Sequence, residues 1–298
     1  MKVLVIIVTY NGMKWLPKVL GSVSGYDVMV VDNGSSDGSA DWIRANCPDV
    51  LLVESKENLG FGKANNLGFR HAVENGYDYV YLLNQDAWVY PETFANLIHA
   101  SQKHPEFGVL SPLQLQADGI HFDNNFATNV IGQHQKTRPL LTEDLFFGRQ
   151  EDIYNVTFVM AAHWMITREC LKAVGGFSPT FFHYGEDDNY LLRTQYWKFK
   201  IGFVPKALAV HDRQDSAWSN QKRQYINNYT IPLNRMSNPL SKQRIWPFIK
   251  ENLRGAIRGK NKQLWDYALQ FYKNRKQIEK NYLQSLKPTA FLDKHTKQ

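Results

Sequence analysis

The first 110 residues alternate short β-rich apolar runs with stretches of helical periodicity, and no other feature restricts the fold as much. Residues 2–9 form a continuous apolar run, and 15–23 carry a short helical pattern. Asp27–Asp32 is a second apolar run, followed by the turn Asn33-Gly34-Ser35-Ser36-Asp37-Gly38 and a helix near 39–46. Residues 50–54, 78–83 and 107–110 read as further strands, with helices at 62–75 and, opened by proline, at 91–103. Strands apolar on both faces need helices covering both faces. The pattern therefore predicts an α/β protein with a mainly parallel, doubly wound sheet, whose ligands bind at the carboxyl ends of the strands.

Residues 112–150 lose this rhythm, are rich in Asn, Gln, Asp and His, and read as an irregular hairpin or mobile segment over the site. Strand signals return at 154–167 and 200–204, a helix is expected at 187–196, and another extended segment ends in Ala209-Val210-His211-Asp212. From about 241 onward the pattern is helical, with Leu264, Ala268, Phe271, Ile278 and Tyr282 on one stripe opposite many Lys and Arg. The division expected is an α/β body over 1–212, a connecting segment at 213–240 and a helical extension at 241–298.

With 298 residues and 43% apolar content the chain can bury one large core plus an appendage. No apolar run approaches the roughly 20 residues needed to span a bilayer. Residues 1–8 run into Thr9-Tyr10-Asn11-Gly12 without a small-residue cleavage site, so a buried first strand is expected rather than a signal peptide. Cys47 and Cys170 lack metal-ligand spacing, which suits core residues in a reducing, cytoplasmic compartment. The net charge of +7 is uneven: residues 241–298 hold 14 Lys/Arg against 4 Asp/Glu. A tail of that kind suits an anionic membrane surface, a nucleic acid or an acidic partner.

Two acidic sites carry the chemistry. Asn84-Gln85-Asp86 follows an apolar strand, and Gly185-Glu186-Asp187-Asp188 opens a helical pattern. Mg²⁺ is often held by one or two carboxylates plus substrate phosphates, so Asp86 could suffice. A β-α turn or a helix cap before Pro91 is the plain alternative. Acids in a first helical turn favour the helix dipole by roughly 0.3–1 kcal/mol each. Three in a row exceed what capping needs, and one could act as a general base. Asp32, just past a strand, could accept hydrogen bonds from a ribose or a pyrimidine imide, although Asp, Asn, Gly and Ser also serve plain turns. No Gly-x-Gly-x-x-Gly follows the first strand, which disfavours a dinucleotide site. His211 ends a strand-like segment; with Asp86 it would give a mixed O/N site that admits Mn²⁺ as readily as Mg²⁺.

In this order the segments resemble the family 2 glycosyltransferases, inverting enzymes of the GT-A fold. The carriers are Val8-Thr9-Tyr10-Asn11-Gly12, the segment from Val30 to Ser39, and Glu57 to Gly68, which is similar to rhamnosyltransferase-like members. Asn84-Gln85-Asp86 stands in place of the Asp-x-Asp metal motif, and Val174 to Asp187 corresponds to the acceptor-side segment. The resemblance covers residues 3 to about 212. It implies a nucleotide-binding half at 1–110 and an acceptor half at 111–212. It implies nucleotide contacts from Thr9, Asn11, Asp32, Asn33, Asn65 and Asn84, and a divalent cation, Mn²⁺ or Mg²⁺, on Asp86 and His211. It implies Asp187 as general base, with Glu186 as the second candidate. The donor implied is a UDP- or dTDP-sugar, and the acceptor a glycan or lipid-linked oligosaccharide of polysaccharide or cell-envelope synthesis. Two positions depart from the family pattern: Asn84 replaces the first acid of the metal motif, and Asn189 replaces the last acid of Glu-Asp-x-Asp.

Two other readings stand beside it. A nucleotidyltransferase would need a basic, glycine-rich loop after the first strand, which residues 9–13 do not offer. A catalytically silent sugar-nucleotide or glycan-binding protein would have no need of both Asp86 and Asp187. The extension, with Trp246, Trp265, Tyr267, Phe271 and Tyr272, would either meet an anionic membrane, on the inner face of the plasma membrane, or pack on the body. No nucleic-acid-binding motif is present.

Overall fold

In the computed structural model, which describes residues 1–133, 141–213 and 220–292, one sheet gathers the strands of the body. They are β1 (Val3–Thr9), β2 (Asp27–Asp32), β3 (Leu51–Glu54), β4 (Tyr79–Asn84), β5 (Ala87–Val89), β6 (Phe107–Leu115), β7 (Tyr154–Val156), β8 (His163–Thr167) and β9 (Lys200–His211). Their order is β3-β2-β1-β4-β8-β6-β9-β5, with β7 also paired to β9.

The half built from β1 to β4 is parallel throughout, as alternation with helices requires. The other half is mixed. Between β6 and β8 the chain travels through the Asn-rich excursion and re-enters the sheet from the carboxyl edge. β8 therefore runs antiparallel to both β4 and β6. The excursion begins as a hairpin turn closed by a Leu115–Phe122 bridge and continues in a short helix at Asn124–Phe126. Residues 134–140 of it lie outside the described residues.

Alternate side chains of the central strands enter opposite cores. Leu4, Ile6 and Leu82 pack beneath α3 (Phe61–Glu74) with Phe69, while Val5, Ile7 and Leu83 face the side carrying α1 (Leu16–Ser22), α2 (Ser39–Asn46) and α4 (Thr93–Lys103). α3 lies so close to β1 that a Cβ on Gly68 would sit 2.4 Å from Ile6 Cδ1. α5 (Arg168–Val174), capped by Thr167 on the Cys170 N–H, and α6 (Glu186–Tyr196) complete the first core around Trp164, Phe177 and Tyr190.

Beyond His211 the chain is helical before residue 241: 220–230 form one helical stretch that continues into α7 (Ile231–Ser237). Then come α8 (Ile245–Gly259) and α9 (Lys262–Ser285). A third core joins Tyr229, Leu233 and Met236 to Ile249, Phe271 and Ile278, and Phe181 of the body enters it. Of the predicted stripe, Ala268, Phe271 and Ile278 are buried there. Tyr267 is buried too, so neither it nor Phe271 is available to an outside surface. The chain end returns to the body, where Gly176 N–H donates to the Ala290 carbonyl at 2.7 Å and Arg70 to that of Leu292 at 3.1 Å. Residues 214–219 and 293–298 of the connecting segment and extension lie outside the described residues.

Candidate active site

A cavity of about 1110 Å³ opens at the carboxyl edge of the sheet. Asn84, Asp86 and His211 line it, and so do Glu186, Asp187 and Asp188. The two acidic sites, a hundred residues apart in the chain, thus face one space.

What unites Asp86 with His211 is β5, which the sequence reading did not identify. β5 pairs antiparallel with β9 in the register Ala87↔His211, and Asp212 N–H donates to the Asp86 carbonyl at 2.8 Å. His211 Nε2 consequently lies 3.4 Å from Asp86 Oδ1. His211 is nearly fully buried and its Nδ1 has no hydrogen-bond partner. Among the described residues no group of three or more His, Cys, Asp or Glu forms a metal cage. A divalent ion at this pair would need its other ligands from phosphate and water, which is the usual arrangement for Mg²⁺. The donor set fits such an ion. His211 Nε2, 3.4 Å from Asp86, would give the nitrogen, and Asp86, whose pKa burial raises but the His211 hydrogen bond and charge bring below its ordinary value, the oxygen.

Two residues outside the predicted set support His211. His163 accepts from Tyr81 O–H at Nδ1 (2.9 Å) and donates Nε2–H to the Val210 carbonyl (3.0 Å), the only assignment a carbonyl acceptor allows. Burial, and then neighbouring His211, push its pKa down to about 3, so it stays neutral. Asp123, fully buried, caps the helix at Asn124–Phe126 and accepts from Arg213 Nε at 2.8 Å, 4.0 Å from His211 Nδ1. No sequence signal marks Asp123, which sits in an irregular polar stretch.

The predicted nucleotide residues divide into two groups. Asp32 keeps Oδ1 for the N–H groups of Gly34 (3.2 Å) and Ser35 (2.9 Å), whereas its buried Oδ2 has no partner. An unpartnered carboxylate oxygen is costly unless something donates to it. Asn84 lines the cavity. The others are engaged within the protein. Thr9 donates to Gln85 Oε1 at 2.9 Å, and Asn11 accepts from Ser36 N–H at 2.8 Å with a left-handed φ of 51°. Asn33 donates to Asn58 and accepts from Leu59 N–H, and Asn65 donates to the Phe61 carbonyl. Gln85, the middle residue of the strand-end triplet, ties the first loop to β4 by also accepting from Tyr10 N–H at 2.8 Å.

The acidic turn is set by Gly185, whose φ of 89° opens α6. A Cβ there would lie 2.6 Å from Thr230 and 2.7 Å from Asn234, and Asn234 donates to the Gly185 carbonyl at 3.1 Å. Burial and the neighbouring Asp187 charge push Glu186 up to about 8, and the same two causes push the more exposed Asp188 up to about 7. Asp187 is also raised by burial, but backbone N–H donors and the charge of Arg213 oppose the rise. Asn189 is buried and donates to the Ser237 carbonyl at 3.3 Å, which a carboxylate could not do. Arg193 donates to the carbonyls of Gly176 (2.6 Å) and Val174, and its buried Nε has no partner.

The model of glycosyl transferase family 2 matches residues 4–175, and the chain belongs to that family. It is 26% identical over 234 residues to the N-acetylglucosaminyl-diphospho-decaprenol L-rhamnosyltransferase of Mycobacterium tuberculosis, over 71% of this chain and 76% of that one. It is 38% identical over 107 residues to the undecaprenyl-phosphate mannosyltransferase of Micrococcus luteus, over 34% of this chain and only 44% of that one. In structure it is similar to the mannosyltransferase PcManGT from Pyrobaculum calidifontis in complex with GDP-Man and Mn²⁺. That likeness has a TM-score of 0.53 at 22% identity, over 80% of this chain and 61% of the other, and shows the GT-A fold.

Proposed function

We propose that this family 2 glycosyltransferase moves a hexosyl or deoxyhexosyl group from a UDP- or dTDP-sugar to a hydroxyl of a lipid-linked glycan, inverting the anomeric configuration. The observation that carries the reading is that Asp86, His211 and the Asp187 turn line one cavity. The free Oδ2 of Asp32 suits the imide N–H of uracil or thymine. Asp86 and His211 would hold Mn²⁺ or Mg²⁺, and a bound ion would supply Lewis-acid stabilisation of the departing diphosphate. Asp187 takes the proton of the acceptor hydroxyl as that oxygen attacks the anomeric carbon, and one such displacement inverts the centre. Glu186, protonated near neutral pH, adds no second negative charge beside it. The names of the relatives, both on polyprenyl carriers, support a lipid-linked acceptor. Such an acceptor would be met at a membrane surface, through the extension; among the described residues no helix is long and apolar enough to cross a membrane.

The test is Asp187→Asn in a transfer assay, beside thermal shifts with UDP-, dTDP- and GDP-sugars with and without Mn²⁺. Turnover should fall at least a thousandfold while the nucleotide-induced shift persists. Unchanged turnover would remove Asp187 as the base, and retention at the anomeric carbon of the product would remove the single displacement.

A further inference from the structure

Helix α9 has two apolar faces. One, with Ala268, Phe271 and Ile278, is buried in the extension's core. The other runs through Trp265, Leu269, Tyr272 and Leu283, at spacings of four, three and eleven residues, and is exposed by 39–54%. On α8 the same division recurs: Ile245, Ile249 and Ala256 are buried, while Trp246 (52% exposed) and Ile257 (68%) point outward. The outer faces join where the Trp246 and Tyr272 rings meet at 5.9 Å, with the Arg275 guanidinium 4.0 Å from the Tyr272 centroid. A groove of about 1420 Å³ separates the helices beside this contact; Lys250, Arg254, Arg258, Arg275 and Lys276 line it, together with Glu251 and with Glu279, which is paired to Lys242 at 2.5 Å. Among the described residues, no carboxylate lies within ion-pair distance of these five cations.

We infer that this outer surface of α8 and α9 is a binding face for an anionic lipid bilayer, with the aromatic and aliphatic side chains entering the interface and the groove cations meeting headgroup phosphates. Charge selects the occupant. Residues 241–292 carry twelve Lys/Arg against three Asp/Glu, so a second copy of the face would be repelled and an anionic surface attracted. The side chains select a bilayer over a nucleic acid. Leu269, Ile257 and Leu283 offer nothing to a phosphate backbone, whereas Trp and Tyr beside Lys and Arg suit the headgroup region. The face is built rather than incidental, because the inner faces of the same helices are fixed by the core that reaches Phe181. α7, packed in the same core, also holds the Gly185 carbonyl at the acidic turn through Asn234. The inference deepens the membrane-surface acceptor proposed above by naming the surface, but its test needs neither donor nor acceptor.

The full chain is sedimented with vesicles of phosphatidylcholine alone and of phosphatidylcholine with phosphatidylglycerol. Binding is expected only to the anionic vesicles and should weaken with salt. Lys250→Gln with Arg254→Gln should lower affinity by about fivefold per cation. Trp265→Ala with Leu269→Ala should lower it at least tenfold and reduce quenching of Trp fluorescence by brominated lipid to the share that Trp246 contributes. Circular dichroism and thermal unfolding without ligand confirm that each variant is folded. Equal binding to neutral vesicles, undiminished binding of either variant, tighter binding to a single-stranded RNA, or no vesicle binding by the wild type would each overturn the inference. Asp187→Asn should sediment as the wild type does, which separates failure of this surface from failure of the catalytic reading.

Discussion

Replacing Glu186 by Gln tests the electrostatics of the acidic turn without touching the proposed base. Burial and the Asp187 charge move the Glu186 carboxyl from an ordinary 4.5 to about 8. Below pH 4.5 the carboxyl is protonated both folded and unfolded, so its contribution to stability is fully present. Between 4.5 and 8 the native protein keeps a proton that the unfolded chain has released, and stability falls as pH rises. Above 8 the loss is complete. A group shifted this far on its own would account for about 5 kcal/mol, at 1.36 kcal/mol per pKa unit. Glu186 shares its site with two other acids, so about 2–4 kcal/mol is the expected share. Gln cannot ionise, and Glu186→Gln should flatten that part of the profile. The assay is urea unfolding from pH 5 to 9 for both proteins. Gln brings an amide into a pocket where Oε2 already lacks a partner, which offsets the whole curve, so the difference in slope is the quantity read. Asp187 and Asp188 titrate in both proteins, and the loss of their coupling to Glu186 is part of the slope difference that is read. Parallel curves would refute the assignment of Glu186 as a protonated buried acid. Loss of transfer activity in Glu186→Gln at pH 6 would show that Glu186, not Asp187, takes the proton.

Removing one member of the Asp86–His211 pair leaves a single protein ligand, so Asp86→Ala should weaken Mn²⁺-dependent binding of the nucleotide-sugar at least tenfold. Excess EDTA should bring wild type and variant to the same affinity in calorimetry, and indifference to chelator and mutation alike would sink the metal site. Asn66 accepts from Phe177 N–H at 2.7 Å and donates to the Phe177 carbonyl at 2.9 Å. Asn66→Ala would leave both backbone groups buried and unpaired, and should cost about 2–4 kcal/mol in denaturant unfolding.

Much of the fold was legible in the sequence because its signals are local. The strand expected at Asp27–Asp32 has those bounds, and the helix expected at 39–46 is Ser39–Asn46. Apolar runs and turn residues act over a few positions, and a parallel αβ half follows from them almost without choice. The strand β5 was missed because Ala87–Val89 is three residues long and carries no pattern of its own. Its pairing with β9 exists only once the distant strand is in place. The region before residue 241 was read as a connection, and its helices emerge through packing of Tyr229, Leu233 and Met236 against the extension.

The family order of motifs placed Asp86, Asp187 and His211 in one reaction, but their common cavity is a property of the sheet's second half. Tertiary structure also divided residues of the same type. Of the asparagines expected to meet the nucleotide, Asn84 lines the cavity, while Asn11, Asn33 and Asn65 make bonds within the protein. It also gave three adjacent acids different surroundings. Composition makes Glu186, Asp187 and Asp188 alike; burial and the donors around each distinguish them. Periodicity along a chain fixes elements because it is written in neighbouring residues. Burial, pairing register and charge environment are sums over residues far apart in sequence, and those sums take a value only when the chain is folded.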